Sequence, residues 1–287
     1  MIDAKKLELR KLNKSGLVTL VTWAKNEGWN PGPYDADVFW KTDPEGYYGF
    51  FQNGHLIAGG AVVSYKGDFG FMGLFIVHPD YRGQGIGHKL WNLRRDLLIS
   101  RLNEGASIGM DGVVAMQPFY ERGGFKIAFR DERYELTGKQ FETDLAVCAI
   151  EPNDLKELSK YDFRCLGYDR SVFLDHWLKV PGSKCYKYAK NKVIQGYVVV
   201  RKAEVGYKIG PLFAESKPVA EALLKAALNS APGHAVYFDI PVTNESAVNL
   251  VKEYGGKYTF ECARMYYGDQ PDMAIHKIFG ITTFELG

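Results

Sequence analysis

The sequence predicts an α+β protein of two tandem domains, residues 1–138 and 139–287, each a mixed, mostly antiparallel sheet flanked by helices. Three observations lead there. Hairpin strands come first and a strand-helix-strand unit follows, an order that a doubly wound parallel sheet does not have. The same order of elements starts again after Thr137-Gly138. A length of 287 residues also suits two ordinary domains, and 46% hydrophobic with 24% charged residues suits a normal core.

In chain order, residues 7–12 read as a strand and 15–26 as a helix. A loop with two prolines leads to a short helix over 36–41. Residues 46–52 and 55–65 alternate as strands about Asn53-Gly54, a pair suited to the positive φ of a two-residue hairpin. Residues 69–77 form the next strand, ending in an apolar, β-branched run. After a glycine-rich loop, Leu90, Leu93, Leu97 and Leu98 recur at helical spacing in a helix that runs to about residue 102. A strand over 107–111, a short helix over 118–122 and a strand over 125–136 complete the first half.

The chemistry concentrates between these last elements. Leu74, Phe75, Ile76 and Val77 end a strand. Arg82, Gly83, Gln84, Gly85, Ile86, Gly87 and His88 then form a loop that opens a helix. The first N–H groups of a helix lack partners within it, and its dipole favours an anion there, so the segment reads as a phosphate cradle. Glycines at 83, 85 and 87 let the backbone approach a ligand and take positive φ. No Gly-Lys-Ser/Thr triplet follows Gly83, which excludes a nucleotide P-loop. His88 stands where a dinucleotide GxGxxG fingerprint needs its last glycine.

Arg82-Gly83-Gln84-Gly85-Ile86-Gly87 instead resembles the Q/R-x-x-G-x-G/A signature of the GNAT (acyl-CoA N-acyltransferase) superfamily. Val77-His78-Pro79 and Asp80-Tyr81 extend the match, and Pro118-Phe119-Tyr120-Glu121-Arg122-Gly123-Gly124-Phe125 is similar to the family's Phe-Tyr-x-x-x-Gly-Phe junction. The resemblance implies acetyl-CoA as the cofactor. Its pyrophosphate would rest on the loop's N–H groups with a charge-assisted contact from Arg82, and its pantetheine arm along the backbone of Leu74 to Val77. The implied reaction is transfer of an acyl group, most simply acetyl, to a primary amine. Tyr120 inherits the tyrosine that protonates the departing thiolate, and N–H groups near Phe75 would stabilise the oxyanion.

An alkylamine must lose a proton before it attacks. Glu27 and Asp35 flank Trp29-Asn30-Pro31-Gly32 and are the candidate bases, with Asp35 also suited to capping a helix. Candidate acceptor contacts are Trp29, Asn30, Tyr34, Tyr48, Asp169 and Arg170. More narrowly, Glu27-Gly28-Trp29-Asn30-Pro31-Gly32 with Asp35, and Gly167-Tyr168-Asp169-Arg170-Ser171, resemble the tandem members of that superfamily. A small-molecule N-acetyltransferase is the reading this supports. Its alternatives are an acyl-CoA-binding sensor without turnover and a protein acetyltransferase with an open peptide groove.

The second half repeats the plan with strands over 145–150, 185–189, 193–201, 205–213, 235–240 and 257–267. Its helices fall at 154–161, 171–179, 218–229 and 246–254. Aligning Gly73-Leu74-Phe75 with Pro211-Leu212-Phe213, and Asp111 with Asp239, shows where the copies differ. Phe75 and Asp111 are 36 positions apart, Phe213 and Asp239 only 26. Ala214-Glu215-Ser216-Lys217-Pro218 replaces the glycine loop, and Glu215 would repel a pyrophosphate. The second copy therefore reads as degenerate, with an acceptor-site or structural role. The apolar run 275–286 suits a domain seam or a subunit contact.

A net charge of +2 argues against general binding of nucleic acid or a membrane surface, and no apolar run is long enough to span a bilayer. Residues 1–6 lack the apolar stretch of a signal peptide. Cys148, Cys165, Cys185 and Cys262 are scattered without metal-ligand spacing. These features together predict a cytoplasmic protein with reduced thiols and no metal. Gly85→Glu would place bulk and negative charge in the cradle, so acetyl-CoA binding measured by calorimetry is expected to be lost; retained affinity would show that the loop holds something else.

Overall fold

The computed structural model describes residues 7–287, and among them thirteen strands form one continuous sheet. The first half contributes β1 (Arg10–Lys11), β2 (Tyr47–Gln52), β3 (His55–Tyr65), β4 (Phe69–Val77), β5 (Ser107–Val113) and β6 (Lys126–Thr137). Helices α1 (Lys14–Asn26) and α2 (Asp35–Thr42) precede the first hairpin. Helix α3 (Ile86–Ser100) follows β4, and α4 (Gln117–Arg122) follows β5. The second half contains β7 (Val147–Ala149), α5 (Leu155–Leu166), α6 (Ser171–Leu178), β8 (Lys184–Lys190), β9 (Val193–Lys202) and β10 (Tyr207–Ala214). It continues with α7 (Lys217–Asn229), β11 (Ala235–Pro241), α8 (Glu245–Glu253), β12 (Lys257–Tyr267) and β13 (Ile278–Gly280).

These elements match the sequence expectation with small differences at their ends. The first strand shrinks to two residues paired with β2, because the chain turns at Leu12 to reach the Asn13 cap of α1. Each half keeps a mixed, mostly antiparallel sheet between helices. Core residues follow the expected periods: Leu17, Leu20 and Ala24 form the buried face of α1, and Leu90, Trp91, Arg94 and Leu98 that of α3.

The two halves are joined by exchanged strands, an arrangement that no local pattern in the sequence signals. The strand order is β1-β2-β3-β4-β5-β12-β6-β11-β10-β9-β8-β7. Thus β12, from the second half, pairs antiparallel with β5 of the first, while β6, from the first half, pairs with β11 of the second. The exchanged strands also pair with each other at the centre. Each is pinned by a buried bidentate ion pair to the residue directly opposite. Arg264 of β12 binds Asp111 of β5 at 2.7 and 2.9 Å, and Arg133 of β6 binds Asp239 of β11 at 2.6 and 2.8 Å. Asp111 and Asp239 are the positions that the internal alignment equates.

The equivalent strand pairs also part in the same way. Phe69, Gly70 and Phe71 pair in parallel with Ser107, Ile108 and Gly109, and Tyr207, Lys208 and Ile209 with Val236, Tyr237 and Phe238. In the second half the gap beyond this pairing is filled by the chain itself. There β13 runs antiparallel to β10, with Leu212 opposite Gly280 and Phe213 opposite Ile278. The run 275–286 is therefore an internal plug and seam. No helix among the described residues is long and apolar enough to cross a membrane, and all four cysteines are free thiols.

Removing one partner of a buried ion pair leaves the other charge uncompensated. Arg264→Met is therefore expected to lower unfolding free energy by about 3–5 kcal/mol in urea titrations. The double variant Arg264→Met/Asp111→Leu should recover most of that loss, and equal losses in the two proteins would mean that the pair does not pin β12.

Candidate functional site

Where β4 leaves β5 in the first half, no strand among the described residues fills the gap. A cavity of about 1070 Å³ opens there and runs from the glycine loop through the sheet to residues of the second half. At the parting point Leu74 takes φ +49°, and the register against β3 shifts between Gly59 and Ala61. A bulge with a non-glycine residue at positive φ persists only where its surroundings hold it. It turns the edge of β4 into the cavity, where Leu74, Phe75, Ile76 and Val77 all line the wall.

The loop lies at one mouth. Gly83 and Gly85 have φ of +73° and +76°, and a Cβ at either would meet open space, so conformation rather than crowding demands glycine. Gly85 stands at the N-cap of α3 and contributes no side-chain cap, which leaves the first-turn N–H groups available to a ligand. Arg82, Gly83, Gly87 and His88 line the cavity. Ile86 packs into the core beneath, while Gln84 and Gly85 shape the loop from outside the lining. Arg82 donates from Nε to the Val77 carbonyl at 2.9 Å and forms an ion pair with Glu27. An acyl-CoA pyrophosphate fits this arrangement: an uncapped helix start, two positive-φ glycines and an arginine beside them.

Tyr120 lines the same cavity, with its ring 4.7 Å from that of Trp91. Burial pushes its phenol well above the usual range, and Arg94 draws it partly back. The group therefore stays protonated and is able to donate. Asp111, also on the wall, has its carboxyl raised by burial and held down in part by Arg264.

The far end joins Trp29 and Asn30 to the second half. Asn30 bonds Val205 in both directions, at 3.0 and 2.8 Å. The Trp29 carbonyl accepts from Lys208 at 3.0 Å, and burial pulls that amine down to about 8. Glu135, Tyr237, Phe260, Phe284 and Glu285 complete the wall. Phe260 and Phe284 meet edge-on, 6.1 Å apart, with the Arg133 guanidinium over both rings.

Several sequence candidates lie elsewhere. Asp35 is buried in an ion pair with Arg201 at 2.8 Å and accepts the Gly32 N–H at 2.8 Å, away from the cavity. Its role is to anchor the Trp29-Asn30-Pro31-Gly32 loop to the second half. Glu27 does line the cavity, but Arg82 occupies its carboxylate. Arg170 is buried against Asp162, at 2.9 and 2.8 Å, and against the Gly287 carbonyl at 2.7 Å. Asp169 pairs with Lys66 and accepts from the Ser171 N–H. Tyr34 is exposed, and Tyr48 packs into the cluster around Trp91. None of these four reaches the cavity lining.

Three buried charges on the wall carry no site assignment from the sequence: Arg94, Arg133 and Glu285. Glu285 accepts the Thr283 hydroxyl and has no ion pair of its own among the described residues, whereas Glu27 and Asp111 each bind an arginine. A carboxylate interrupting the apolar run 275–286 is the only sign the sequence offers. Arg94 has a clearer one, a charge on the apolar face of α3.

Comparison with known proteins agrees with this architecture. Residues 15–125 match a profile described as acetyltransferase (GNAT) family, and residues 158–280 one described as acetyltransferase (GNAT) domain. A relative from Pseudoalteromonas sp. (strain SANK 73390), named holothin acyltransferase, is 30% identical over 92% of this chain and 89% of its own. A Pyrococcus horikoshii crystal structure described as an acetyltransferase superposes with a TM-score of 0.83 at 22% identity, covering 100% of this chain and 97% of that one. A tandem GNAT protein of the clavulanic acid biosynthesis pathway superposes at 0.64 with 12% identity, covering 92% and 98%.

The tail that carries Glu285 lies directly on the bulge: a Cβ at Gly73 would fall 1.8 Å from the Glu285 carbonyl oxygen. Gly73→Ala is therefore expected to push residues 283–286 off the cavity wall at a cost of about 1–3 kcal/mol. Hydrogen exchange should show faster exchange of those amides, and wild-type protection would mean that the tail is not held by this contact.

Proposed function

The chain belongs to the GNAT acetyltransferase family, and on that premise we propose that it moves an acetyl group from acetyl-CoA to the primary amine of a small molecule. One observation carries the reading. The freed edge of β4, the uncapped start of α3 and the Tyr120 phenol share one cavity, whose far end is walled by aromatic and acidic residues of both halves. That walled end favours a compact acceptor over a protein segment. The 30%-identical relative is named for acyl transfer to holothin, which makes holothin the first acceptor to try.

In this reading acetyl-CoA lies along Leu74 to Val77 with its pyrophosphate at Gly83 to His88. The thioester oxygen faces the N–H groups at the Leu74 bulge, which are fixed before the reaction begins. Glu285 takes the proton that the acceptor ammonium must lose. The amine nitrogen then attacks the thioester carbon, a C–N bond forms and the C–S bond breaks. The sulfur leaves with its electron pair and takes the proton of Tyr120. The second half binds no coenzyme of its own, since β13 occupies the place a second pantetheine would need.

Calorimetric titration with acetyl-CoA, with NAD and ATP as controls, tests the cofactor; one tight site for acetyl-CoA alone is expected, and no binding would overturn the reading. With holothin or a panel of amines as acceptor, release of free thiol then measures turnover. Tyr120→Phe and Glu285→Gln are each expected to lower kcat by roughly 10²–10⁴-fold with little change in acetyl-CoA affinity. Unchanged kcat in either variant would remove that residue from its proton-transfer step.

A further inference from the structure

Arg94 is the least expected residue on the cavity wall. It lies on the buried face of α3 with no surface exposed, between Leu90, Trp91 and Leu98. Its Nη2 donates to the Gly73 carbonyl at 2.8 Å and to the Ala61 carbonyl. Gly73 of β4 and Ala61 of β3 are the pair next to the register shift, so the guanidinium bridges the strands where their ladder breaks. Nε and Nη1 have no hydrogen-bond partner among the described residues. No carboxylate forms an ion pair with Arg94 among the described residues. Its charge is felt mainly by Tyr120, and the guanidinium carbon stands 5.3 Å from the centre of the Phe75 ring. The fold makes room for it, since a Cβ at Gly60 would lie 2.3 Å from that carbon.

A neutral donor would satisfy the Gly73 carbonyl equally well. A buried cation without a counter-ion is a cost that structure alone does not require. We propose that Arg94 is a positioning residue for acyl transfer, which clasps the β4 bulge and sets an uncompensated positive charge behind the sulfur that becomes negative as the C–S bond breaks. This rests on the coenzyme A reading above. The sulfur then accepts the Tyr120 proton from a less basic state, and the phenol meets the same field. Burial draws the guanidinium itself down to about 9, still charged at neutral pH.

Free coenzyme A serves as the probe, because its thiol reports the field without any acceptor. The thiolate absorbance of coenzyme A bound to the full-length protein is titrated against pH, with the desulfo-coenzyme A complex as the blank that cancels the protein's own thiols. The bound thiol is expected to titrate below the free thiol. In Arg94→Gln, which keeps a donor but not the charge, it should titrate about one unit higher than in wild type, a tenfold change in thiolate population. Arg94→Lys should restore most of the difference. A wild-type bound thiol that titrates at or above the free value overturns the proposal, and this result needs no variant to fold. So does a folded Arg94→Gln whose bound thiol titrates as in wild type, or one that loses coenzyme A and desulfo-coenzyme A to the same extent. Failure of the wild type to bind either compound would instead overturn the coenzyme assignment, and the role of Arg94 with it.

Discussion

Three residue pairs hold β4 to β5 before the strands separate, and the rest of the site follows from that parting. A parallel pair that continued would satisfy its own backbone groups and leave no edge for a ligand. Because β5 turns away, β4 runs on with its far end lining a cavity. The glycine loop that follows β4 lies at the mouth of the opening, and α4 brings Tyr120 to its wall. The same parting occurs at β10 and β11, where β13 heals it. One geometry thus opens a cavity in one half and forms a slot for the chain's own strand in the other.

Buried arginines hold this arrangement, in two electrostatic settings. Arg264 and Arg133 are neutralised by aspartates directly opposite, and they fasten the two exchanged strands. Arg201 is neutralised by Asp35 and draws the loop at residues 29–32 onto the second half. Arg94 alone among these has no carboxylate partner, and it is the one beside the bulge. Low dielectric makes the paired arginines strong fasteners and gives the unpaired one a long reach.

Sequence reading succeeded where the information is local. The strand, the glycine turn and the helix start were legible because they are contiguous, and their conformational demands fall on those same residues. The duplication was visible too, with Asp111 and Asp239 correctly equated. What Asp111 and Asp239 do was hidden, because Arg264 and Arg133 lie far away in the chain and come from exchanged strands. Asp35 misled for a related reason. Its nearness to Trp29 is genuine, but its charge is taken by Arg201, 166 positions away. Glu285 was overlooked because hydropathy averages a single carboxylate into an apolar run, and only folding shows that the run crosses the bulge.

The exchange of β6 and β12 also bears on the history of the chain. A simple doubling of a gene leaves two units that recombination can later separate or replace. Here a gene shortened to either half would encode a sheet deprived of a central strand, with an aspartate buried opposite nothing. Once the strands were interleaved the duplication could no longer be undone by deletion. Each half thus depends on the other for a strand at the centre of the sheet and for the arginine that neutralises its buried aspartate.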